Sequence, residues 1–200
     1  MGSKKVLRTE YDFKGSNRDD RSIYYHREDG TVEQRIGGDR AWRNNNPGNI
    51  RWKDGAKYPW NYAERHGAVG IDGDDFAIFP DWETGLRAKK ELLLTESYRS
   101  LSLSEAMKRW ASDKKDNPED YARFLASRAG VSTETKIEDL SPTQLEAVFD
   151  AIGQREGARP GKTVEHGKDA NPSKHLQQGQ LNDMADHEEE DIYLAFGPSP

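Results

Sequence analysis

Leu145, Phe149, Ile152 and Glu156 follow one another at steps of four, three and four residues. That spacing stacks all four on one face of a helix. The first three are apolar, so the face turns inward and carries Glu156 with it, at the helix end just before Gly157. A carboxyl held away from water keeps its proton more readily. A glutamic acid of that kind can deliver a proton to a leaving oxygen, the step that cleavage of a glycosidic bond requires. The opposing reading is that the helix frays there and Glu156 points to water. Glu64, in Ala63-Glu64-Arg65-His66-Gly67, is the competing acid, with Asp72, Asp74 or Asp75 as its partner. Asp72-Gly73-Asp74-Asp75 lacks the spacing and terminal Glu of a calcium loop, so it reads as a turn before a strand, with no metal or other cofactor expected. The chain has no cysteine, which excludes disulfides, thiolate zinc sites and a Cys nucleophile.

Amides and flat rings cluster earlier, in Trp42-Arg43-Asn44-Asn45-Asn46-Pro47-Gly48-Asn49-Ile50-Arg51 and the residues beyond. Pro47-Gly48 forces a turn, and asparagine amides both donate and accept hydrogen bonds. Sugars and N-acetyl groups need such paired donors and acceptors. Trp42, Trp52 and Trp60 offer apolar faces on which pyranose rings can stack. Trp42, Asn45, Asn46, Asn49, Arg51, Trp52 and Asp75 are therefore the candidate substrate-binding residues. The alternative is that the asparagines hold their own turn and the tryptophans fill a core.

Two sequence patterns resemble known families. Glu156-Gly157-Ala158-Arg159, with Glu165 nine residues beyond the first acid, is similar to the E-G-x-R run of phage-type lysozymes, where an Asp occupies the later position. The resemblance implies that Glu156 and Glu165 flank the cleaved bond as the catalytic pair. The threonine and G-x-G-H continuation of those enzymes is missing here, with His166-Gly167 alone in the vicinity. The second pattern is Asn45-Asn46-Pro47-Gly48-Asn49-Ile50-Arg51, followed by Asp75-Phe76-Ala77-Ile78-Phe79 and Gly85-Leu86-Arg87-Ala88. It resembles lysozyme-like domains of phage virion proteins and of antibacterial effectors of the type VI secretion system, over roughly residues 40–160. That resemblance implies a muramidase acting on the β-1,4 bonds of peptidoglycan, with an immunity protein or a secretion or virion carrier as partner. A lytic transglycosylase would use a single Glu, and a binding domain would use none. In ordinary lysozyme-like enzymes the acidic helix precedes the sugar-binding wall. Here the order is reversed, as a circular permutation would leave it.

Helices must position these groups. Asp81, Ser104, Asn117 and Ser141 are read as N-caps, and Pro118 and Pro142 fall at first helical positions, where a missing N–H costs nothing. Residues 5–38 read instead as β structure, with Glu28-Asp29-Gly30 as a hairpin turn between Ser22–His26 and Thr31–Ile36. The expectation is a mainly α, lysozyme-like helical domain at 40–168. A small β module precedes it at 1–39, and a largely disordered acidic tail follows at 169–200.

Composition supports that division. The hydrophobic fraction is 33% and mean hydropathy −1.05, low for a chain folded throughout. Residues 181–200 hold six acids and no Lys or Arg, which leaves 30 acids against 30 bases in the rest. A neutral body gives no electrostatic argument for nucleic acid. No apolar run reaches membrane-spanning length and none follows Lys4-Lys5, so neither a span nor a signal peptide is expected. The localisation that follows is synthesis in the cytoplasm and action on the wall of a target cell, after delivery by a secretion system or a phage.

Overall fold

The computed structural model describes residues 4–13, 17–52, 62–110 and 117–168. The expected acidic tail and Trp60 lie outside the described residues.

Three strands open the chain: β1 (Val6–Phe13), β2 (Arg21–Arg27) and β3 (Val32–Ile36). β2 and β3 form the expected antiparallel hairpin, with His26 facing Val32 and Ser22 facing Ile36. Gly30 takes a φ of +81° in its turn, and Asp29 accepts from the Thr31 N–H at 3.0 Å. The fourth strand, β6 (Lys162–His166), comes from beyond the last helix and pairs antiparallel with β3. The sheet order is therefore β1-β2-β3-β6.

That sheet corrects the mainly α expectation. About 44% of the described residues are helical and 23% are in strands, so the fold is mixed α and β. The last strand of the sheet carries little sequence signal because Lys162-Thr163-Val164-Glu165-His166 is an exposed edge with one apolar residue. The alternation that signals a half-buried strand is too weak there. The segment 5–38 and the segment after the last helix thus share one sheet. Ile23 and Tyr25 of β2 pack with Ile78 of β5 (Ala77–Ile78), which pairs with β4 (Gly70–Ile71).

Helices follow: α1 (Arg40–Arg43), α2 (Tyr62–Arg65), α3 (Trp82–Leu93), α4 (Glu96–Arg99), α5 (Leu103–Trp110), α6 (Pro118–Ala129) and α7 (Pro142–Glu156). Their caps are mostly those the sequence announces. Asp81 accepts from the Thr84 N–H at 2.7 Å, and Asn117 from the Glu119 N–H at 3.0 Å. Ser141 and Gln144 close a reciprocal capping box at the start of α7. The start of α5 differs, since Ser102 rather than Ser104 exchanges bonds with Glu105. The helical core is made by Leu103, Met107, Tyr121, Leu125, Phe149 and Ile152, all at most 2% exposed. Of the expected inner stripe of α7, Phe149 and Ile152 are in this core and Leu145 packs on its margin.

A glycine decides how α3 meets the asparagine turn. A Cβ at Gly85 would stand 1.9 Å from the Asn45 carbonyl oxygen. The helix therefore lies directly on the turn backbone, an approach open to glycine alone.

Candidate active site around Glu156

Glu156 ends α7 on the inward stripe and is half-buried. Its carboxylate accepts three hydrogen bonds from three separate parts of the chain. Trp110 Nε1, at the end of α5, donates to Oε1 at 3.1 Å. The Tyr121 hydroxyl, in the first turns of α6, donates to the same oxygen at 2.8 Å. Asn49 Nδ2, from the Pro47-Gly48 turn, donates to Oε2 at 2.6 Å. α7 delivers Glu156 to this point because Val148, Phe149 and Ile152 anchor its inner face, each at most 2% exposed. Gly157 then ends the helix with a φ of +75°.

The asparagine run divides into two groups. Asn45 and Asn46 are 2% and 0% exposed. Asn46 Nδ2 donates to the carbonyls of Ile50 and Ala77, both at 2.9 Å, while its Oδ1 accepts from the Ile50 N–H at 2.8 Å. Asn45 Nδ2 donates to the Phe79 carbonyl at 3.2 Å, and Arg35 donates to its Oδ1 at 2.6 Å. Both side chains bind the protein itself and hold the turn against β5. Asn49 is the asparagine that reaches the carboxylate. It is half-buried, and its Oδ1 is buried without a hydrogen-bond partner among the described residues.

The other candidates are scattered. Trp42 is half-buried beneath the Arg35 guanidinium, which lies 5.3 Å from its ring centre. Trp52 packs beside Ile50 and Phe79, and its backbone N–H donates to the Asp75 carbonyl at 2.8 Å. Arg51 lies 4.4 Å above the centre of the Phe76 ring and donates to the Asp74 carbonyl at 3.4 Å. Asp75 is exposed in a positive-φ turn, at +64°. Glu64 is exposed on the short helix α2. The adjacent acids bind inside the fold. Asp72 takes the Asp74 and Phe76 N–H groups at 3.0 and 2.9 Å, together with Asn44 and Arg40. Asp74 pairs with Arg21 and Arg40, which hold its carboxyl below the usual carboxylate range against the opposing effect of burial.

Glu165 sits on β6 opposite Glu33, with its side chain 57% exposed. Both of its oxygens are held by Arg27, at 2.7 and 3.1 Å. Arg27 also binds Glu33, so these three side chains form a surface network across the sheet. Arg159, of the E-G-x-R run, pairs instead with Asp39. Its Nη2 and Nε lie 3.1 and 3.2 Å from the two carboxylate oxygens.

Neither Trp110 nor Tyr121 stands out in the sequence as a site residue. The signal available was chemical: a Tyr or Trp on an inner face must find a partner for its O–H or N–H when buried. Two such donors on neighbouring inner faces point to a buried acceptor, and Glu156 is that acceptor.

No family model matches the chain. A stretch of 117 residues is 29% identical to Protein P5 of Pseudoalteromonas phage PM2, covering 56% of this chain and 69% of that protein. No described helix is long and apolar enough to cross a membrane.

Proposed function

We propose that this chain cleaves the β-1,4 bonds of peptidoglycan glycan strands, with Glu156 as the general acid. The observation that carries the reading is the half-buried carboxylate at the end of α7, met by donors from the asparagine turn, α5 and α6. An acid fixed by three elements is held in one orientation, which is what proton delivery to a leaving oxygen requires. Asn49 adds a second feature. Turned over, its amide would present the unpartnered Oδ1 to a proton on Glu156 Oε2. The amide can thus serve both charge states of the acid by a half-turn. The resemblance of the asparagine turn to wall-degrading phage and effector domains supports peptidoglycan as the substrate, and the similarity to a phage protein agrees with that setting. Carriers and immunity partners belong to the same proposal.

In hydrolysis, Glu156 protonates the leaving O4 as the bond from C1 breaks. Water adds to C1 and gives its proton to a second carboxylate. The Arg27 grip on Glu165 favours a second reading, in which Glu156 acts alone. The C6 hydroxyl of the same muramyl residue then attacks C1, and its proton goes to the Glu156 carboxylate after O4 has taken the first. No water is consumed, and the product carries an internal anhydro ring.

Digestion of purified peptidoglycan tests both readings. The protein should release glycan fragments, and Glu156→Gln should release about a hundredfold to ten-thousandfold less. Mass spectrometry separates the two outcomes, because hydrolysed ends are heavier than anhydro ends by one water. Full activity in a folded Glu156→Gln protein would refute the assignment.

A further inference from the structure

Lys89, on α3, is 1% exposed, yet among the described residues no carboxylate binds it directly. Its Nζ donates to the Phe149 carbonyl of α7 at 2.7 Å. Gly153, one turn further along α7, comes close enough that a Cβ there would stand 3.5 Å from the same nitrogen. The stem of Lys89 lies against the asparagine turn. A Cβ on Gly48 would meet Lys89 Cγ at 3.0 Å and Trp110 Cζ2 at 3.2 Å. Lys89 therefore spans the parts that form the Glu156 site. Its stem touches the turn that carries Asn49, beside the Trp110 ring, and its head is bonded to the helix that carries Glu156.

A leucine or methionine would fill this space without taking a charge out of water, and a buried ammonium on a single carbonyl is costly. The charge thus needs a reason beyond packing. We propose that Lys89 is a positioning residue for Glu156, tying α7 to the Gly48-Asn49 turn through a buried cation bonded to that helix. The inference rests on Glu156 as the acid.

The electrostatics agree with this geometry. Burial pushes the Lys89 ammonium down to about 8, opposed by Asp150, Glu156 and Glu146 of α7 and assisted by Lys90 of α3. The Gly48 turn and Trp110 bring no charge of their own. Lys89 is thus charged at neutral pH and loses its proton as pH rises through about 8. Between that value and the roughly 10.4 of a free lysine, the unfolded chain binds more protons, so this residue's unfavourable contribution to stability fades as pH rises.

The Trp110 indole and the Asn49 side-chain amide both donate to Glu156, so their nitrogen-15 NMR signals report its placement without any need for activity. Lys89→Met keeps the stem but removes the charge and the donor. Both signals should move in the same direction as they do in Glu156→Gln, and wall cleavage should fall about tenfold in kcat with KM unchanged. The unaltered protein should show a step in both signals near pH 8 that is lost in Lys89→Met. A folded Lys89→Met protein with unaltered Trp110 and Asn49 signals overturns the proposal. Should that variant not fold, the pH titration of the unaltered protein decides: a step supports the role and a flat trace overturns it. If the signals behave as expected while no form of the protein cuts peptidoglycan, the positioning role stands and the proposed function falls.

Discussion

Asn46 and Asn49 lie in one turn, three residues apart, and end in opposite environments. Asn46 is fully buried, and both ends of its amide are bonded to the backbone around Ile50 and Ala77. Asn49 is half-buried, donates once to Glu156 and keeps a buried oxygen without a partner among the described residues. A saturated buried amide can do little except hold its neighbours in place. An amide with unused capacity beside a carboxylate can respond to a change of proton or ligand. The contrast separates a structural asparagine from a functional one where residue type cannot.

The largest effect should come from the acid itself. Glu156→Gln should abolish nearly all wall cleavage while leaving the melting temperature the same or higher. The substituted amide can donate to Asn49 Oδ1 once that amide has turned over, and a half-buried carboxylate is no longer kept from water. A large fall in melting temperature would mean that Glu156 is an anchor of the fold, and the contrast with Asn46 would collapse.

Next comes Asn46→Ala. It leaves the Ile50 N–H without a partner in a site without water access and takes one donor from each of the Ile50 and Ala77 carbonyls, which keep the Ala77 N–H and Asn44 Nδ2. A loss of roughly 2 kcal/mol in chemical denaturation is expected, since a buried group left unpaired costs about 1–3 kcal/mol. Asn49→Gly, which accepts the φ of +44° held at this position without strain, should do the reverse. Cleavage should drop about tenfold to a hundredfold, while stability changes by less than about 1 kcal/mol. Equal losses of stability in the two variants would erase the distinction between the residues.

That distinction also marks how far sequence reasoning reaches. The stripe Leu145-Phe149-Ile152-Glu156 places the acid on the inner face of its helix, because helical period and apolar pattern are local properties. The caps at Asp81, Asn117 and Ser141 are local in the same sense. The sheet is less legible. β1, β2 and β3 follow one another in the chain, but β6 pairs with β3 across more than a hundred residues and carries almost no apolar signal. The partners of Glu156 are equally non-local: Asn49, Trp110 and Tyr121 are 107, 46 and 35 residues away. Neither spacing nor residue type separates Asn46 from Asn49, because burial of the turn against β5 and α3 decides it.

The smallest expected effect belongs to Glu165, and it matters most for the reaction. Glu165→Gln removes one charge from an exposed pair whose other member, Arg27, keeps Glu33 as a partner. Exposed ion pairs contribute about 0–1 kcal/mol, so stability should hardly change. If Glu156 acts alone, cleavage should stay within about twofold, because the Glu165 carboxylate takes no proton from the substrate. Its neighbourhood agrees with that outcome. Glu165 faces Glu33 on a sheet edge, whereas the Glu156 carboxylate is gathered between α5, α6 and the asparagine turn. A loss of a hundredfold or more, with the fold intact, would show that Glu165 leaves Arg27 when the glycan binds and acts across the bond from Glu156. The products would then have to be hydrolysed ends. Anhydro ends together with an active Glu165→Gln protein would leave Glu156 as the one carboxylate in the mechanism.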